Sequence, residues 1–207
     1  LTLIYLPNLN SSIRGVVGQL LSVLNTRNRD VISRRFGLKS GKKETLESVG
    51  RSYNITRERV RQIEEVSLKQ IKEGLVSSVT AKIKPFVNLA ENILDRSGGV
   101  AREDFLFREF SGVAKESPAN AALVFFLYLD GRLKRLIDND NFHTLWALSD
   151  QHSDSFHKSM ASFIGALNKE GGPIGESVLV DFYKKSGASF KDVTPAVVTS
   201  HLSISKN

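Results

Sequence analysis

The sequence contains no cysteine, which excludes disulfides and cysteine-based zinc sites and is compatible with a reducing compartment. No apolar run approaches the roughly 18 residues that a membrane span needs. The opening LTLIYLPNL has neither the basic start nor the small-residue cleavage site of a signal peptide. Because the first residue is Leu rather than Met, we expect a trimmed piece of a longer protein. These absences favour a cytoplasmic protein that does not contact a membrane.

Positive charge is concentrated in the first part of the chain. The net charge is +7, and residues 1–85 carry 16 lysines and arginines against 7 aspartates and glutamates, a net +9. The remainder is slightly acidic, with 13 against 15. A basic end joined to an acidic one indicates that one segment meets a polyanion, although a solvated, lysine-rich surface is the alternative.

Apolar residues at helical spacing predict two helices within residues 11–36. The two stripes consist of Val16, Val17, Leu20, Leu21 and Leu24, then Val31, Ile32 and Phe36. Asn25-Thr26 separates the helices. Gly37 stands where a helix C-terminus favours a left-handed residue, and Leu38 can fold back onto the last turn.

Residues 45–72, TLESVGRSYNITRERVRQIEEVSLKQIK, predict a helix-turn-helix. Thr45 can cap a helix that begins at residue 46, and Thr56 can cap one that begins at residue 57. The intervening SYNI is too short for anything but a turn, and Asn54 tolerates a positive φ without being glycine. The two helices would bury a shared apolar seam of Leu46, Val49, Ile55, Val60 and Ile63.

The second of these helices separates into two faces at about 100° per residue. We expect Val60, Ile63 and Val66 to point to the core. The opposite face, roughly 140° wide, carries Arg57, Glu58, Arg61 and Gln62.

The chemistry of that opposite face suits base edges. Arginine can bind guanine, glutamine can bind adenine and glutamate can accept from cytosine, and these residues lie in the two turns that enter a major groove. Glu58 could instead be a partner of the helix dipole, and the arginines could be merely solvated. Arg57 and Arg61 form a like-charged i,i+4 pair, which is mildly unfavourable and favours a nearby anion.

The segments RNRDVISRRFGL and TLESVGRSYNITRERVRQIEE resemble region four of the primary bacterial sigma factors, over about residues 14–75. That module binds the promoter −35 element and the flap of the RNA polymerase β subunit. The resemblance therefore implies double-stranded, −35-like DNA and the β flap as partners, and base-reading roles for Arg57, Glu58, Arg61 and Gln62.

The same resemblance implies two further sets of residues. The phosphate-holding positions are Arg27, Arg35, Thr45 and Arg59, of which Arg59 falls toward the buried side of the helical wheel. The place to look for flap binding is the apolar surface around Leu20, Leu21, Leu24 and Ile32, whose alternative interpretation is core.

The sequence also departs from the family. The promoter-melting and core-clamping regions of a sigma factor should lie upstream, where this sequence has no room, so we do not expect a complete sigma factor. Val66 and Ser67 replace charge expected after RQIEE, which weakens any expectation of activator contacts.

Beyond residue 80 the pattern predicts three helices and a hairpin, which is the winged-helix order. The helices are FVNLAENILDRSGG, closed by Gly98-Gly99, then REDFLFREF, then SPANAALVFFLYL with Pro118 at a tolerated early position. RLKRLIDNDNFHTLWAL predicts the hairpin, with its turn at DNDN. The basic RLKRL of residues 132–136 could touch a phosphate, while nearby aspartates equally suit a solvated hairpin.

An internal repeat follows, and it predicts a second, truncated winged-helix-like module. The matched pairs are Gly98-Gly99 with Gly171-Gly172, Glu103 with Glu176, Phe110 with Tyr183, and Pro118 with Pro195. Both copies faintly resemble the HARE-type helix-turn-helix modules found beside DNA-acting domains. Two small helical bundles with coincidental glycine pairs are the alternative.

No catalytic or metal-binding pattern is present. The histidines His143, His152, His157 and His201 lack metal-ligand spacing, and neither a phosphate-binding loop nor a nucleophile elbow occurs. We therefore expect no enzymatic activity, no metal and no cofactor.

Together these patterns predict a mainly α protein: a helix-turn-helix bundle in residues 1–80, a winged-helix-like domain in 81–150 and a second one in 151–207. The predicted function is sequence-specific DNA binding in transcription, in the bacterial cytoplasm. The acidic half would bind another protein, such as RNA polymerase, or extend the DNA footprint. Two alternatives stay open: a polymerase-binding regulator with little DNA reading, and the DNA-targeting fragment of a larger enzyme.

Overall fold

The computed structural model describes residues 9–74, 77–170, 175–186, 190 and 192–206. In chain order its elements are α1 (Leu9–Leu21), α2 (Thr26–Phe36), α3 (Leu46–Tyr53), α4 (Arg57–Glu73), α5 (Ser77–Arg96), β1 (Val100–Arg102), α6 (Glu103–Ser111), α7 (Pro118–Asp130), β2 (Lys134–Leu136), β3 (Leu145–Ala147), α8 (Asp150–Glu170), α9 (Glu176–Lys185) and α10 (Pro195–Leu202). The mainly α prediction is confirmed. Within these ranges, no helix combines the length and apolar character needed to cross a membrane.

The chain divides into two compact units. The first comprises residues up to Asn88 together with Ser111–Asp130, and the second comprises Leu89–Phe110 and the chain from Gly131 onward. Each unit therefore joins two separate stretches of sequence. The domain boundaries expected at 80/81 and 150/151 stay predictions.

Local capping defines the helices of the first unit. The side chain of Asn25 caps α2 by accepting from the Asn28 amide at 2.9 Å. Gly37 ends α2 with a left-handed φ of 73°, and the Leu38 amide donates to the Ser33 carbonyl. The predicted C-terminal stop at Gly37 is confirmed.

The helix-turn-helix is formed by α3 and α4. Thr45 accepts from the Ser48 amide and Thr56 from the Arg59 amide, both at 3.1 Å, so both predicted N-caps are confirmed. Asn54 closes α3 with a φ of 52°, the one described residue other than glycine with a positive φ. The predicted turn is thus made by an asparagine in the left-handed conformation.

An apolar cluster joins α2, α3 and α4. Its buried members are Val31, Val49, Val60 and Ile63, with Leu46, Tyr53 and Ile55 packed against them. The predicted seam is confirmed, but Val66 was assigned to the core wrongly, since it is 61% exposed. Six residues at about 100° each place it roughly 120° away from Val60, and Ser67 and Leu68 are buried instead.

Helix α7 belongs to the first unit, where it packs against α1 and α2. Ten of its thirteen residues are buried. The ring of Phe36 makes edge contacts with Phe125 at 4.9 Å and with Tyr128 at 5.7 Å. The position that would hold the reading helix of a winged helix is therefore occupied by a core helix.

The second unit is built on a three-stranded antiparallel sheet in the order β1-β3-β2. The predicted hairpin is confirmed as β2 and β3, paired from Lys134–Ala147 to Leu136–Leu145. Strand β1 was not predicted, and it pairs Ala101 with Trp146. In chain order, α5-β1-α6-α7-β2-β3 follows the winged-helix order, with α7 belonging to the first unit.

Helices α8, α9 and α10 share one core with this sheet. That core contains Phe156, Met160 and Phe163 from α8, Tyr183 from α9 and Val198 from α10. The stretch after α10 pairs with residues 141–143, through the bridge between Phe142 and Ser205. Of the proposed repeat, Gly171-Gly172 and the side chain of Glu176 lie outside the described residues, so the repeat stays a prediction.

Candidate nucleic-acid interface

The recognition surface, defined as Arg57, Glu58, Arg61 and Gln62, lies exposed on the first two turns of α4. The Thr56 cap starts the helix directly before it, and the buried Val60 and Ile63 anchor the opposite face. All four predicted base-reading side chains are thereby brought onto one accessible face. Local capping and core packing, rather than contacts among the readers, set its position.

Carboxylates hold Arg61 on both sides. Its Nη2 donates to Glu58 Oε1 at 2.8 Å and its Nη1 donates to Glu65 Oε2 at 3.2 Å. The hydrogen bond from Arg61 lowers the pKa of Glu58, and the bond to Glu58 raises the pKa of Arg61. Arg61 and both partners are more than half exposed, so these pairs are exchangeable.

Arg57 is paired as well, with Nη1 3.2 Å from Glu47 Oε1 on α3. The like-charged spacing of Arg57 and Arg61 predicts a nearby external anion. Three carboxylates of the chain itself, Glu47, Glu58 and Glu65, already supply that anion. The repulsion argument therefore does not support DNA binding by itself.

Arg59 lies on the exposed side of α4, although the helical wheel placed it toward the core. Its Nη1 donates to Gln62 Oε1 at 3.1 Å. The Gln62 side chain also donates to the carboxylate of Glu58. Arg59 is thus accessible for the phosphate role that the resemblance implies.

The other phosphate candidates differ in how firmly the fold holds them. Arg27 is exposed, with its guanidinium 5.2 Å from the ring centre of Tyr53. Thr45 is exposed but serves as the α3 cap. Arg35 forms an ion pair with Glu64 at 2.7 Å and also donates to the Glu44 carbonyl, so its main visible role is structural.

A neighbouring pair fixes the loop that leads into α3. Arg34 donates to both carboxylate oxygens of Glu44, at 2.8 and 2.7 Å, and Ser48 donates to Glu44 as well. The hydrogen bonds from Arg34 and then Ser48 lower the pKa of Glu44 to about 2. This pair joins the end of α2 to the start of α3 and so orients the helix-turn-helix.

The four residues proposed for the polymerase flap are core residues in this structure. Leu20, Leu21, Leu24 and Ile32 are between 0% and 4% exposed. Apolar side chains at these helical positions are covered by the packing of the first unit, so they present no surface to a partner. Val23, in the same segment, is 41% exposed.

The basic residues of the hairpin are committed to ion pairs within the second unit. Arg132 pairs with Glu91 at 2.7 Å, and Lys134 pairs with Asp150 at 3.2 Å. Arg135 donates to Glu103 at 2.7 Å. These pairings favour the solvated-hairpin interpretation over phosphate contact.

Glu103 has a second partner in the sheet. The indole of Trp146, which is 2% exposed, donates to it at 2.9 Å. Trp146 is thus a buried packing residue of the sheet.

Sequence reasoning missed a buried polar chain in the second unit. His201 is fully buried; its Nε2 donates to the Ser97 carbonyl at 2.9 Å, and its Nδ1 accepts from the hydroxyl of Tyr183. A carbonyl can only accept, so Nε2 carries the proton of the neutral ring. Burial lowers the pKa of His201 to about 4. Histidine spacing alone carries no signal for such a contact, because Ser97 is 104 residues away.

Comparison with known proteins shows what the segment containing the helix-turn-helix is similar to. Residues 20–73 match the family described as Sigma-70, region 4. The chain is 44% identical over 60 residues to the RNA polymerase sigma factor SigA1 of Synechococcus elongatus, which covers 29% of this chain and 15% of the relative. It is 42% identical over 73 residues to the RNA polymerase sigma factor SigA of Clostridium acetobutylicum, covering 34% and 18%.

The similarity is confined to a short part of each protein. A third relative, the RNA polymerase sigma factor SigA of a Nostoc species, is 43% identical over 61 residues, 30% of this chain and 16% of its own length. The chain thus spans less than one fifth of the length of these relatives. The predicted resemblance to region four is confirmed, and the family match ends at residue 73, where α4 ends.

Proposed function

We propose that this chain is a DNA-binding transcription protein that reads a −35-like promoter element through α3 and α4. The observation that carries the proposal is the recognition surface: four side chains suited to base edges lie on the first two turns of a capped helix. The match to Sigma-70 region 4 supports the same role. No chemistry is performed, because the action of this module is non-covalent binding.

Base reading and phosphate contact are divided between two sets of residues. Arg57, Glu58, Arg61 and Gln62 read bases, while Arg27, Arg59 and Thr45 position the module on phosphates. Binding exchanges Glu65 and Glu47 for DNA acceptors around the two arginines. Because these ion pairs are exposed, the exchange costs little.

RNA polymerase is the proposed protein partner, and a bacterial cytoplasm is the proposed location. The support is that the similar proteins are RNA polymerase sigma factors. We propose the β flap as the contacted element and Val23 as the accessible apolar residue near it. Val23→Asp is expected to reduce co-elution with core RNA polymerase, and unchanged co-elution would rule out this contact.

Fluorescence anisotropy on a TTGACA duplex and a scrambled duplex, across a salt series, tests the DNA proposal. Phosphate contacts make affinity fall with salt on both duplexes, so only the ratio of the two affinities reports reading. Arg61→Ala is expected to reduce the difference in binding free energy between the two duplexes by about 1–3 kcal/mol. Arg96→Ala, which removes an exposed arginine of the second unit, is the matched control and leaves the ratio unchanged.

Equal and steeply salt-dependent binding to both duplexes would contradict the proposal. Such a result would reduce the first unit to a basic patch and favour the regulator that binds polymerase without reading DNA.

A further inference from the structure

The first unit contains a cavity of about 620 Å³ that lies apart from the recognition surface. Its walls come from α1, α2, the loop after α2, and the connection from α6 into α7. A volume of this size is within the range of small-molecule sites, about 300–1,000 Å³.

The lining combines apolar walls with positive charge. Ile13, Val17 and Leu38 contribute to the apolar part. Arg14, Arg29 and Lys39 supply the charged groups, and no carboxylate is among the described residues that line the cavity. Lys39 pairs with Asp30 at 3.5 Å, so the charge available to a ligand comes from Arg14 and Arg29. A site with this composition is complementary to a molecule that is both apolar and anionic.

The side chain of Arg29 is held by neutral backbone groups, so its positive charge is not compensated by them. Its Nε donates to the Leu21 carbonyl and its Nη2 to the Leu24 carbonyl, both at 3.2 Å. Neither Arg29 nor Arg14 forms an ion pair with a described carboxylate. The remaining N–H groups of Arg29 can donate to an anionic group.

The opposite wall is held by a buried asparagine. Asn120 is 1% exposed; its amide nitrogen donates to the Val113 and Lys115 carbonyls at 2.7 Å, and Ser111 donates to its oxygen at 2.8 Å. These bonds fix the connection between α6 and α7. This part of the wall is held by contacts within the chain, which reduces the ordering that binding would require.

We propose that this cavity binds a small organic anion with an apolar body, such as a medium-chain carboxylate. The head group pairs with Arg14 and Arg29, and the tail lies against the walls of α1 and the loop after α2. Duplex DNA does not fit a concave apolar site, so this function is independent of DNA reading.

Isothermal titration calorimetry with decanoate, in the absence of DNA, tests the proposal on the full chain. Decanol and acetate are the controls for the tail and the head group. Saturable binding of decanoate is expected, with decanol and acetate each weaker by about tenfold or more. Decanol loses the charge-assisted hydrogen bonds of the head group, and acetate loses the burial of the apolar tail. Arg14→Ala is expected to weaken decanoate by a similar factor.

Two glycines of α1 provide a matched pair of variants. A Cβ added at Gly15 or Gly18 meets nothing within 4 Å, so both positions accept a side chain without a clash. Gly18 lines the cavity and Gly15 does not. Gly18→Leu is expected to abolish decanoate binding, whereas Gly15→Leu retains it.

Three outcomes would overturn the proposal: no saturable binding at millimolar decanoate, equal affinity for decanol, or equal affinity of the two glycine variants. Because DNA is absent from the titration, each of these results leaves the DNA proposal unaffected.

Discussion

Helix α4 of the first unit and the β2–β3 hairpin of the second both carry clustered basic side chains, but the fold uses them differently. On α4, the side chains of Arg57 and Arg61 are 71% and 54% exposed. On the hairpin, Arg135 is 27% exposed and its partner Glu103 is 18% exposed. The first set is free to exchange partners, whereas Arg135 is built into the sheet.

The difference shows that basic composition is a poor guide to nucleic-acid contact unless burial is known. Exposed ion pairs contribute little to stability and dissociate easily. Breaking a half-buried ion pair costs more, because the remaining charge is left without a partner. If Arg135 moved to DNA, Glu103 would keep only the hydrogen bond from Trp146. This contrast is the basis for the proposal that the first unit reads DNA.

The largest expected effect comes from truncating Phe156, which lies in the core of the second unit and should leave the first unit unchanged. Phe156 is fully buried and makes edge contacts with Phe142 and His201. Phe156→Ala is expected to lower the free energy of unfolding by about 3–5 kcal/mol, measured by urea denaturation. The ratio of affinities for TTGACA and scrambled duplexes, measured in the cold, is expected to stay unchanged.

The control for this variant is Val178→Ala, which removes an exposed side chain of the same unit and should change stability by less than about 0.5 kcal/mol. Loss of discrimination in Phe156→Ala while the chain remains folded would show that the second unit takes part in reading.

Acid should destabilise the second unit through His201. Its folded pKa of about 4 lies below the unfolded value of about 6.5, so the unfolded chain binds the proton first. Stability is therefore fully present above about pH 6.5 and is lost as the pH falls toward 4, by roughly 3 kcal/mol in total.

The measurement is urea unfolding of wild type and His201→Gln between pH 7 and 4. The difference between the two proteins in how stability changes with pH separates the contribution of His201 from that of the carboxylates. His143→Gln, which removes a half-buried histidine 3.6 Å from Asp138, controls for the loss of one imidazole elsewhere in the unit. An unchanged slope in His201→Gln would mean that the buried chain of Tyr183, His201 and Ser97 does not control acid stability.

One N-cap in each unit allows the two units to be compared through the loss of a single hydrogen bond. Thr56 caps α4 and Thr194 caps α10 through the same side-chain contact. Replacing either with alanine should destabilise its helix by about 1 kcal/mol. DNA affinity should fall for Thr56→Ala only, and equal effects of the two variants in anisotropy would contradict the division between the units.

The smallest expected effect concerns Glu65. Glu65→Gln removes a competing partner of Arg61, so affinity for both duplexes should rise roughly two- to fivefold at low salt. Glu73→Gln, on the same helix but paired with Lys69, controls for the loss of one negative charge. If both variants gained equally, the contact with Arg61 would have no role.

Local chemistry made the helix-turn-helix predictable. Thr45, Thr56, Asn54 and Gly37 act on backbone groups within a few residues, so their roles can be inferred from spacing. Val66 was misplaced because a three-residue spacing drifts by about 60° at each step of an α-helix. Strand β1 is three residues long and is stabilised by pairing with β3, over 40 residues away. No local sequence pattern predicts it for that reason.

The arrangement of the site was harder to predict than its members. The resemblance to the family implied roles for Arg57 and Arg61. The contact between Arg57 and Glu47 was not predicted, because it depends on how α3 packs against α4. Leu20, Leu21 and Ile32 have the apolar character of either a surface or a core, and only packing of the first unit shows that they are core. The use of α7 in that unit likewise depends on contacts distant in sequence.

Hydrogen–deuterium exchange with and without the TTGACA duplex tests the central claim most directly, because it reports both units in one experiment. We expect DNA to increase protection in α3 and the first two turns of α4, and to leave residues 132–136 of the hairpin unchanged. Protection confined to the hairpin, with none on α4, would contradict the assignment of DNA reading to the first unit.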